Sequence, residues 1–324
     1  MSPRAFWVES PGRGVIRPVT LADPGPEECR VRTVFSGVSR GTESTVFRGG
    51  VPESQHELMR CPHQEGHFSG AVKYGYSTVG RVDASGALVF CLHPHQTEFV
   101  VHHEALIPLP AGLAPGLAVL APNLETAING VWDAAPQPGE KATVIGGGVV
   151  GLLVAWRLKQ LGVSVELIET QPARALVASQ LGLTMVAPAD ATSDRSLVIH
   201  ASGTEAGLRQ ALCLAAFEGR IIELSWFGDK QVALPLGEAF HAKRLTLRSS
   251  QVGTISPAAP GVWTHRSRME MVLELLAKQP ELGVLISGES PFDALPETMA
   301  KLADDATGVL CHRIRYQEQD PCTD

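Results

Sequence analysis

Between residues 141 and 247 the apolar positions come in two alternating textures. Residues 141–145, 163–168 and 197–199 are short apolar runs, the mark of strands covered on both faces, and longer stretches with helical periodicity separate them. Residues 149–161 read as a helix closed by Gly162. A second helix opens at Pro172, a residue suited to a first helical turn, and stops at Gly182. A helix over 205–216 and strands at 220–224 and 245–247 continue the series. This order predicts an α/β unit, a parallel sheet of six strands with helices on both faces.

The flanks read differently. Before about residue 120, runs such as Arg30-Val31-Arg32-Thr33-Val34 and Glu98-Phe99-Val100-Val101 stand among glycines and prolines, the texture of a β-rich domain with long loops. After about residue 261 come a helix over 269–277, an apolar run at 284–286, a helix near 296–303 and a strand over 308–314. Such a tail can return to complete the first domain. The expected division is 1–121 with 261–324, and a central 122–260.

Composition narrows the partners. A chain of 324 residues with 44% hydrophobic content is long enough for two cores and too apolar for disorder. A formal net charge of -7 offers no basic footprint, which argues against nucleic acid and anionic membrane and leaves small molecules. No apolar window reaches the length that crosses a bilayer, and the start carries no apolar signal core, so a cytoplasmic location is expected. The six cysteines, at 29, 61, 91, 213, 311 and 322, form neither a disulfide framework nor a CxxC knuckle.

The sharpest motif is Gly146-Gly147-Gly148-Val149-Val150-Gly151, placed after an expected strand and opening an expected helix. Gly146 permits the tight turn, Gly148 lets a pyrophosphate approach the backbone, and Gly151 lets helix and strand pack closely. Val149 and Val150 then begin a helix whose free N–H groups and positive end suit phosphates. Glu169 closes the following strand, where a carboxylate can accept hydrogen bonds from ribose hydroxyls and repel a 2′-phosphate. NAD is therefore the expected cofactor. Arg174, five residues on, leaves NADP as the alternative.

The chain resembles the medium-chain dehydrogenases/reductases over nearly its whole length. The resemblance is carried by residues 23–32, by Ser36-Gly37-Val38-Ser39-Arg40-Gly41-Thr42-Glu43 in the place of the catalytic loop, by Gly75-Tyr76-Ser77-Thr78-Val79-Gly80 in the place of the glycine-histidine-glutamate motif, and by the glycine turn at the expected distance. Residues 37–43, 73–82 and 249–253 are most similar to the subgroup containing bacteriochlorophyllide a dehydrogenase. The resemblance implies a GroES-like β domain built from both termini, a central Rossmann domain, a cleft between them, and hydride transfer between a substrate carbon and nicotinamide. It also implies a homodimer.

The resemblance breaks at the metal. Zinc-containing members hold the ion with a cysteine, a histidine and a further cysteine or acid. Ser39 stands in the first place, or Arg40 if the longer loop shifts the register; Tyr76 stands in the second, and Glu125 falls near the third. Serine and tyrosine are poor zinc ligands at neutral pH, and the four-cysteine lobe of a structural zinc is missing too. No zinc is expected in either place. Seven histidines between residues 56 and 103, with the spacings Cys61-x-His63-x-x-x-His67 and His93-x-His95, read either as a different metal site or as polar residues of loops and edge strands.

Without zinc, hydroxyl groups must exchange the substrate proton and stabilise developing oxyanion charge. Thr42 matches the family's relay hydroxyl, Tyr76 occupies the histidine's place, Ser39 stands beside it, and Glu125 is the remaining candidate acid. Tyr76 reads equally as a packing aromatic, and Glu125 as a helix-start acid or an ion-pair partner of Arg40. Arg40 suits the pyrophosphate, Ser202 and Gly203 follow the fourth Rossmann strand beside the ribose in similar proteins, and Gln251 follows the sixth near nicotinamide. The reading that follows is a zinc-independent NAD-dependent oxidoreductase acting on an alcohol or carbonyl. Reduction of an activated double bond, as by quinone or enoyl reductases, and dinucleotide binding without catalysis are the alternatives.

Overall fold

The computed structural model describes residues 2–304 and 308–317. The chain divides into two compact units: the described residues of Met1–Pro122 with Leu273–Asp324, and Asn123–Val272.

The first unit begins with the antiparallel pair β1 (Arg4–Ser10) and β2 (Arg13–Pro18), followed by the long β3 (Glu28–Val38) and the helix α1 (Arg40–Phe47). Short strands β4 (Glu65–Gly66) and β5 (Val72–Lys73) complete a four-stranded sheet in the order β2-β1-β5-β4. Strands β6 (Thr78–Val82), β7 (Leu88–Cys91), β8 (Glu98–His102) and β9 (Ile107–Pro108) join β3 in a second sheet. Alternate residues of these strands point inward: Val31, Val82, Val89, Phe99 and Val101 form one apolar cluster with Leu106. Full burial of such side chains is worth about 1.5–3 kcal/mol each. The runs at 30–34 and 98–101 thus lie in strands as their alternation predicts.

The second unit opens within α2 (Ala121–Ala134) and alternates β10 (Lys141–Ile145), α3 (Val149–Gln160), β11 (Ser164–Ile168), α4 (Ala175–Gln180), β12 (Thr184–Val186), β13 (Arg195–His200), α5 (Glu205–Leu214), β14 (Ala215–Glu223) and β15 (Thr246–Ser249), closing within α6 (His265–Lys278). The six strands are all parallel, in the order β12-β11-β10-β13-β14-β15. The order reverses between β10 and β13, which makes their C-terminal ends the ligand edge of such a sheet. Ile145, Ile168, Val198, Leu208, Leu212 and Ile221 pack one face.

The chain then returns to the first unit as β16 (Ile286–Pro291), α7 (Leu295–Asp304) and β17 (Cys311–Arg315). Strand β17 lies between β16, parallel to it, and β3, antiparallel to it, with Gly37 opposite Arg313. The expected α/β class, a β-rich unit drawn from both ends of the chain and a parallel Rossmann-like sheet in the central stretch, is the architecture observed.

Several boundaries differ from the sequence pattern, and three of them have a plain structural reason. The helix expected over 205–216 stops at Leu214, because Ala215 pairs with Arg195 and starts β14. The helix expected from Pro172 begins as a tight 3₁₀ turn, Pro172–Arg174, before α4. Of the apolar run 284–286, only Ile286 enters a strand, since Pro280 starts a 3₁₀ segment that continues through Leu285.

Candidate active site

In the second unit, the loop from β10 into α3 is built by its glycines. Gly146 has φ of +106° and a Cβ there would lie 2.7 Å from the Ser202 backbone, so only glycine fits. A Cβ on Gly151 would lie 1.8 Å from the Gly146 carbonyl oxygen. Gly148 differs from both: a Cβ there would meet no described atom within 4 Å, so open space adjoins its backbone. Gly148 is the N-cap of α3 and has no side chain to satisfy the first N–H groups, those of Val149 and Val150 included. Free donors, a positive helix end and open space are what a pyrophosphate requires, and the turn fits a dinucleotide on these grounds.

Glu169, just past β11, is 8% exposed. Its Oε2 accepts Gly147 N–H at 2.8 Å and the Arg174 guanidinium at 2.7 Å, and its Oε1 accepts the N–H groups of Thr170 and Gln171. Burial alone would raise this carboxyl, but the Gln171 N–H, the Arg174 charge and the N–H groups of Gly147 and Thr170 hold it below the usual range. Arg174 is itself buried, and its Nε has no hydrogen-bond partner among the described residues. The acid expected to repel a 2′-phosphate is therefore half of an ion pair. Ser202 and Gly203 follow β13, Gly203 with φ of +66° and its N–H donated to Ser225. Gln251, past β15, turns its amide oxygen back to Gly253 N–H at 2.6 Å.

In the first unit, Ser39 is the N-cap of α1, Arg40 is the helix's first residue, and Thr42 lies in its first turn. The Ser39 and Thr42 side chains both hydrogen-bond the Tyr76 hydroxyl, so three of the expected catalytic hydroxyls converge. Burial first, and then the Glu43 charge, push the Tyr76 phenol well above its ordinary range, so it is held as an acid. Glu43, 4% exposed, reaches back with Oε1 to Ser39 N–H at 2.7 Å. Its Oε2 meets His95 Nε2 at 2.8 Å; His95 Nδ1 lies 2.7 Å from Ser36 Oγ, and Ser36 lies 2.9 Å from the Tyr316 hydroxyl. The chain Tyr316–Ser36–His95–Glu43 thus supports the hydroxyl cluster from beneath. Rings of Phe68, Tyr74 and Tyr76 follow one another at centroid distances of 5.5 and 5.9 Å on its flank.

At the places where zinc-containing members of the resembled family carry ligands, the side chains present are engaged by other protein groups. Ser39 and Tyr76 are bonded to each other, Ser77 Oγ donates to the Val119 carbonyl at 2.7 Å, and Glu43 is engaged by His95. Glu125 belongs to the other unit and to a different network. It pairs with Arg268, which is 1% exposed and also donates to Asn129 and to the Val252 carbonyl. The histidines of the two spacings are engaged in packing and hydrogen bonding: His63 stacks on His93, His93 on Phe99, and His95 meets Glu43. Among the described residues the only His, Cys, Asp or Glu side chains gathered as ligands would be are the exposed His102, His103 and Glu104.

Sequence reasoning named the glycine turn and the three hydroxyls that the structure brings together, and did not name Ser36, Tyr316 or Arg268, nor a role for His95. Ser36 is separated from Tyr316 by 280 positions and from His95 by 59. No local spacing announces such partners. The one usable signal was His95 itself, noticed only as half of a His-x-His spacing.

Residues 144–178 match the family model of the NAD(P)-binding Rossmann-like domain. The chain is 30% identical over 227 residues to a 2-dehydro-3-deoxy-L-galactonate 5-dehydrogenase of Pseudoalteromonas atlantica, a stretch covering 66% of this chain and 62% of that protein. The match thus spans less than two thirds of the relative's own length. Among solved structures, L-idonate 5-dehydrogenase of Escherichia coli superposes with a TM-score of 0.77 at 15% identity, covering 97% of this chain and 98% of that one. Acetophenone reductase of Geotrichum candidum, in complex with NAD, gives 0.77 at 16% identity and 97% of each chain. The chain thus shares the fold of these dehydrogenases over almost its whole length, and sequence similarity with the galactonate dehydrogenase over 66% of it.

Proposed function

We propose that the protein is an NAD(P)-dependent oxidoreductase that moves a hydride between nicotinamide and a secondary alcohol or its ketone without a metal ion. The observation that carries the reading is the turn from β10 to α3, where open space beside Gly148 meets an uncapped helix start. The bound dinucleotide supplies the hydride-accepting or hydride-donating ring. The chain's own part is to hold pyrophosphate at residues 146–151, to receive sugar hydroxyls near Glu169 and Ser202, and to exchange the substrate proton at the Tyr76 hydroxyl. Ser39 and Thr42 orient that phenol, and the Glu43 charge helps keep it protonated. Arg40 and Gln251 are assigned to the cofactor on the family resemblance, and a homodimer rests on the same resemblance; a cytoplasmic location rests on the sequence reading alone. The resemblance to the bacteriochlorophyllide a dehydrogenase subgroup rests on residues 37–43, 73–82 and 249–253 alone.

NAD is the favoured form in this reading. The Glu169 carboxylate accepts the Gly147 N–H of the glycine turn, and a 2′-phosphate must displace it from Arg174 to be neutralised by that guanidinium. The galactonate and idonate dehydrogenases similar to this chain make polyhydroxylated acids the first substrates to try. The test is an absorbance assay at the reduced-nicotinamide band with NAD and NADP, over a panel of sugar acids, secondary alcohols and activated enones, on metal-analysed protein. Alcohol or ketone turnover that survives chelation, with NAD preferred, is expected. Stoichiometric zinc whose removal abolishes turnover overturns the metal-free step; turnover of enones alone reassigns the reaction to double-bond reduction.

A further inference from the structure

Where β8 ends, three side chains that coordinate metal ions gather on the surface of the first unit, and the reaction above uses none of them. His102 is the last residue of β8, and His103 and Glu104 open the tight 3₁₀ turn that follows it. One ligand atom of each lies within 4.8 Å of the other two. Nitrogen and oxygen ligands held by one ion at about 2.0–2.2 Å stand about 3.3 Å apart in a tetrahedron, so small rotations of these solvent-facing side chains close the set. The two rings already stack, with centroids 4.5 Å apart.

The fold arranges the rings through one residue. Strand β8 runs antiparallel to β3 with His102 opposite Glu28, and the pairing continues past the strands in a bond of 2.9 Å from His103 N–H to the Glu27 carbonyl. Glu27 is thereby placed against both histidines: its carbonyl oxygen lies 2.9 Å from His103 Nδ1, and its Oε2 lies 3.1 Å from His102 Nε2. A carbonyl only accepts, so His103 carries a proton on Nδ1, and the neutral ring keeps its lone pair on Nε2. On His102 the reverse holds. The backbone N–H of Glu104, which only donates, points at Nδ1, so the lone pair is on Nδ1 and the neutral ring's proton is on Nε2, towards Glu27. That Glu104 contact is 3.3 Å long, past the range of a good hydrogen bond, and it is solvent-exposed, so an ion can take the lone pair and leave the amide to water. Glu104 Oε2 stands 3.8 Å from the same Nδ1. Each ring thus has its outer nitrogen held by an oxygen of Glu27, the arrangement that orients ligating histidines.

We propose that His102, His103 and Glu104 form a surface site for a divalent transition ion of the zinc class, with Glu27 orienting both rings from outside the coordination sphere. Imidazole suits zinc, nickel and copper, whereas magnesium and calcium take oxygen ligands. Three protein ligands leave a position of the ion to water. The site is independent of the dinucleotide reading, because neither the Tyr76 cluster nor the glycine turn takes part in it.

The experiment is calorimetric titration of zinc chloride into the chelator-treated full chain, comparing the natural protein with His103→Ala, Glu104→Ala and Glu27→Ala, and repeated with magnesium chloride. The natural protein should bind zinc saturably and give no binding heat with magnesium. His103→Ala and Glu104→Ala, which each remove a ligand, should raise the zinc Kd about tenfold or more, and Glu27→Ala, which frees both rings, about tenfold. Zinc should also raise the thermal midpoint of the natural protein and not that of His103→Ala. His102→Gln, which keeps a polar side chain at the end of β8, serves the same comparison if His103→Ala does not fold. Absence of saturable zinc binding in the natural protein, or one Kd shared by the natural protein and the ligand variants, overturns the proposal. Magnesium bound as tightly as zinc overturns the class of ion. Turnover should be the same in His103→Ala as in the natural protein; a loss of turnover that follows the loss of zinc overturns a site outside the reaction.

Discussion

At the scale of single residues, the first unit keeps its chemistry in hydroxyls and its charge one layer behind them. Tyr76 is the group through which proton exchange is proposed, and Tyr76→Phe should lower turnover by about a hundredfold or more while leaving the NADH Kd unchanged. Its phenol is raised above the ordinary range by burial and then by Glu43. A raised value keeps the proton on through pH 10, so ketone reduction should not fall there. In Glu43→Gln one raising cause is gone, and the alkaline fall should move to lower pH; a kcat profile from pH 7 to 11 checks both. Arg268 makes the opposite case, a fully buried cation whose partners Glu125 and Asn129 are also buried. Arg268→Met leaves Glu125 uncompensated and should cost about 3–5 kcal/mol in urea unfolding, most of it recovered when Glu125→Leu is added. From sequence, Ser39 and Thr42 were legible in one short motif and Tyr76 in another, each aligned by the family resemblance. Arg268 was not, since its meaning comes from residues 139 and 143 positions away.

At the scale of elements, the central unit was the more readable half. Strands covered on both faces are apolar runs, helices end on glycine, and both signals are local, so β10, α3 and β11 follow the pattern within a residue. The boundaries that shifted did so where a strand partner overrode helix propensity, as at Ala215, or where proline imposed a tighter turn, as at Pro172 and Pro280. The loop between β10 and α3 carries its own prediction. Gly151→Ala puts a methyl 1.8 Å from the Gly146 carbonyl oxygen, a contact that only movement of α3 away from β10 can relieve. Dinucleotide affinity should fall at least tenfold, with a lowered thermal midpoint, whereas Gly148→Ala, facing open space, should keep the midpoint and lose affinity alone. Calorimetry with and without NADH separates the two.

At the scale of the whole molecule, what the sequence pattern could not convey is which distant strands pair, because pairing is decided by register and not by composition. The buried thiols show how the fold alters chemistry far from any site: burial pushes Cys61, Cys91 and Cys311 up to about 12. Alkylation of the native protein at pH 8, read by peptide mass spectrometry, should mark the exposed Cys213 and spare these three until the chain unfolds. The placement of β17 beside β3 bears on how the molecule comes into being. Every strand pair of the parallel sheet is drawn from one continuous stretch, so that sheet can close while synthesis is still under way. The edge of β3 near Gly37, by contrast, must wait for Arg313. A nascent chain stalled after residue 280 is therefore expected to hold a protease-resistant centre flanked by a cleavable, unfinished β unit, and that exposed edge is the stage at which the protein depends most on a chaperone.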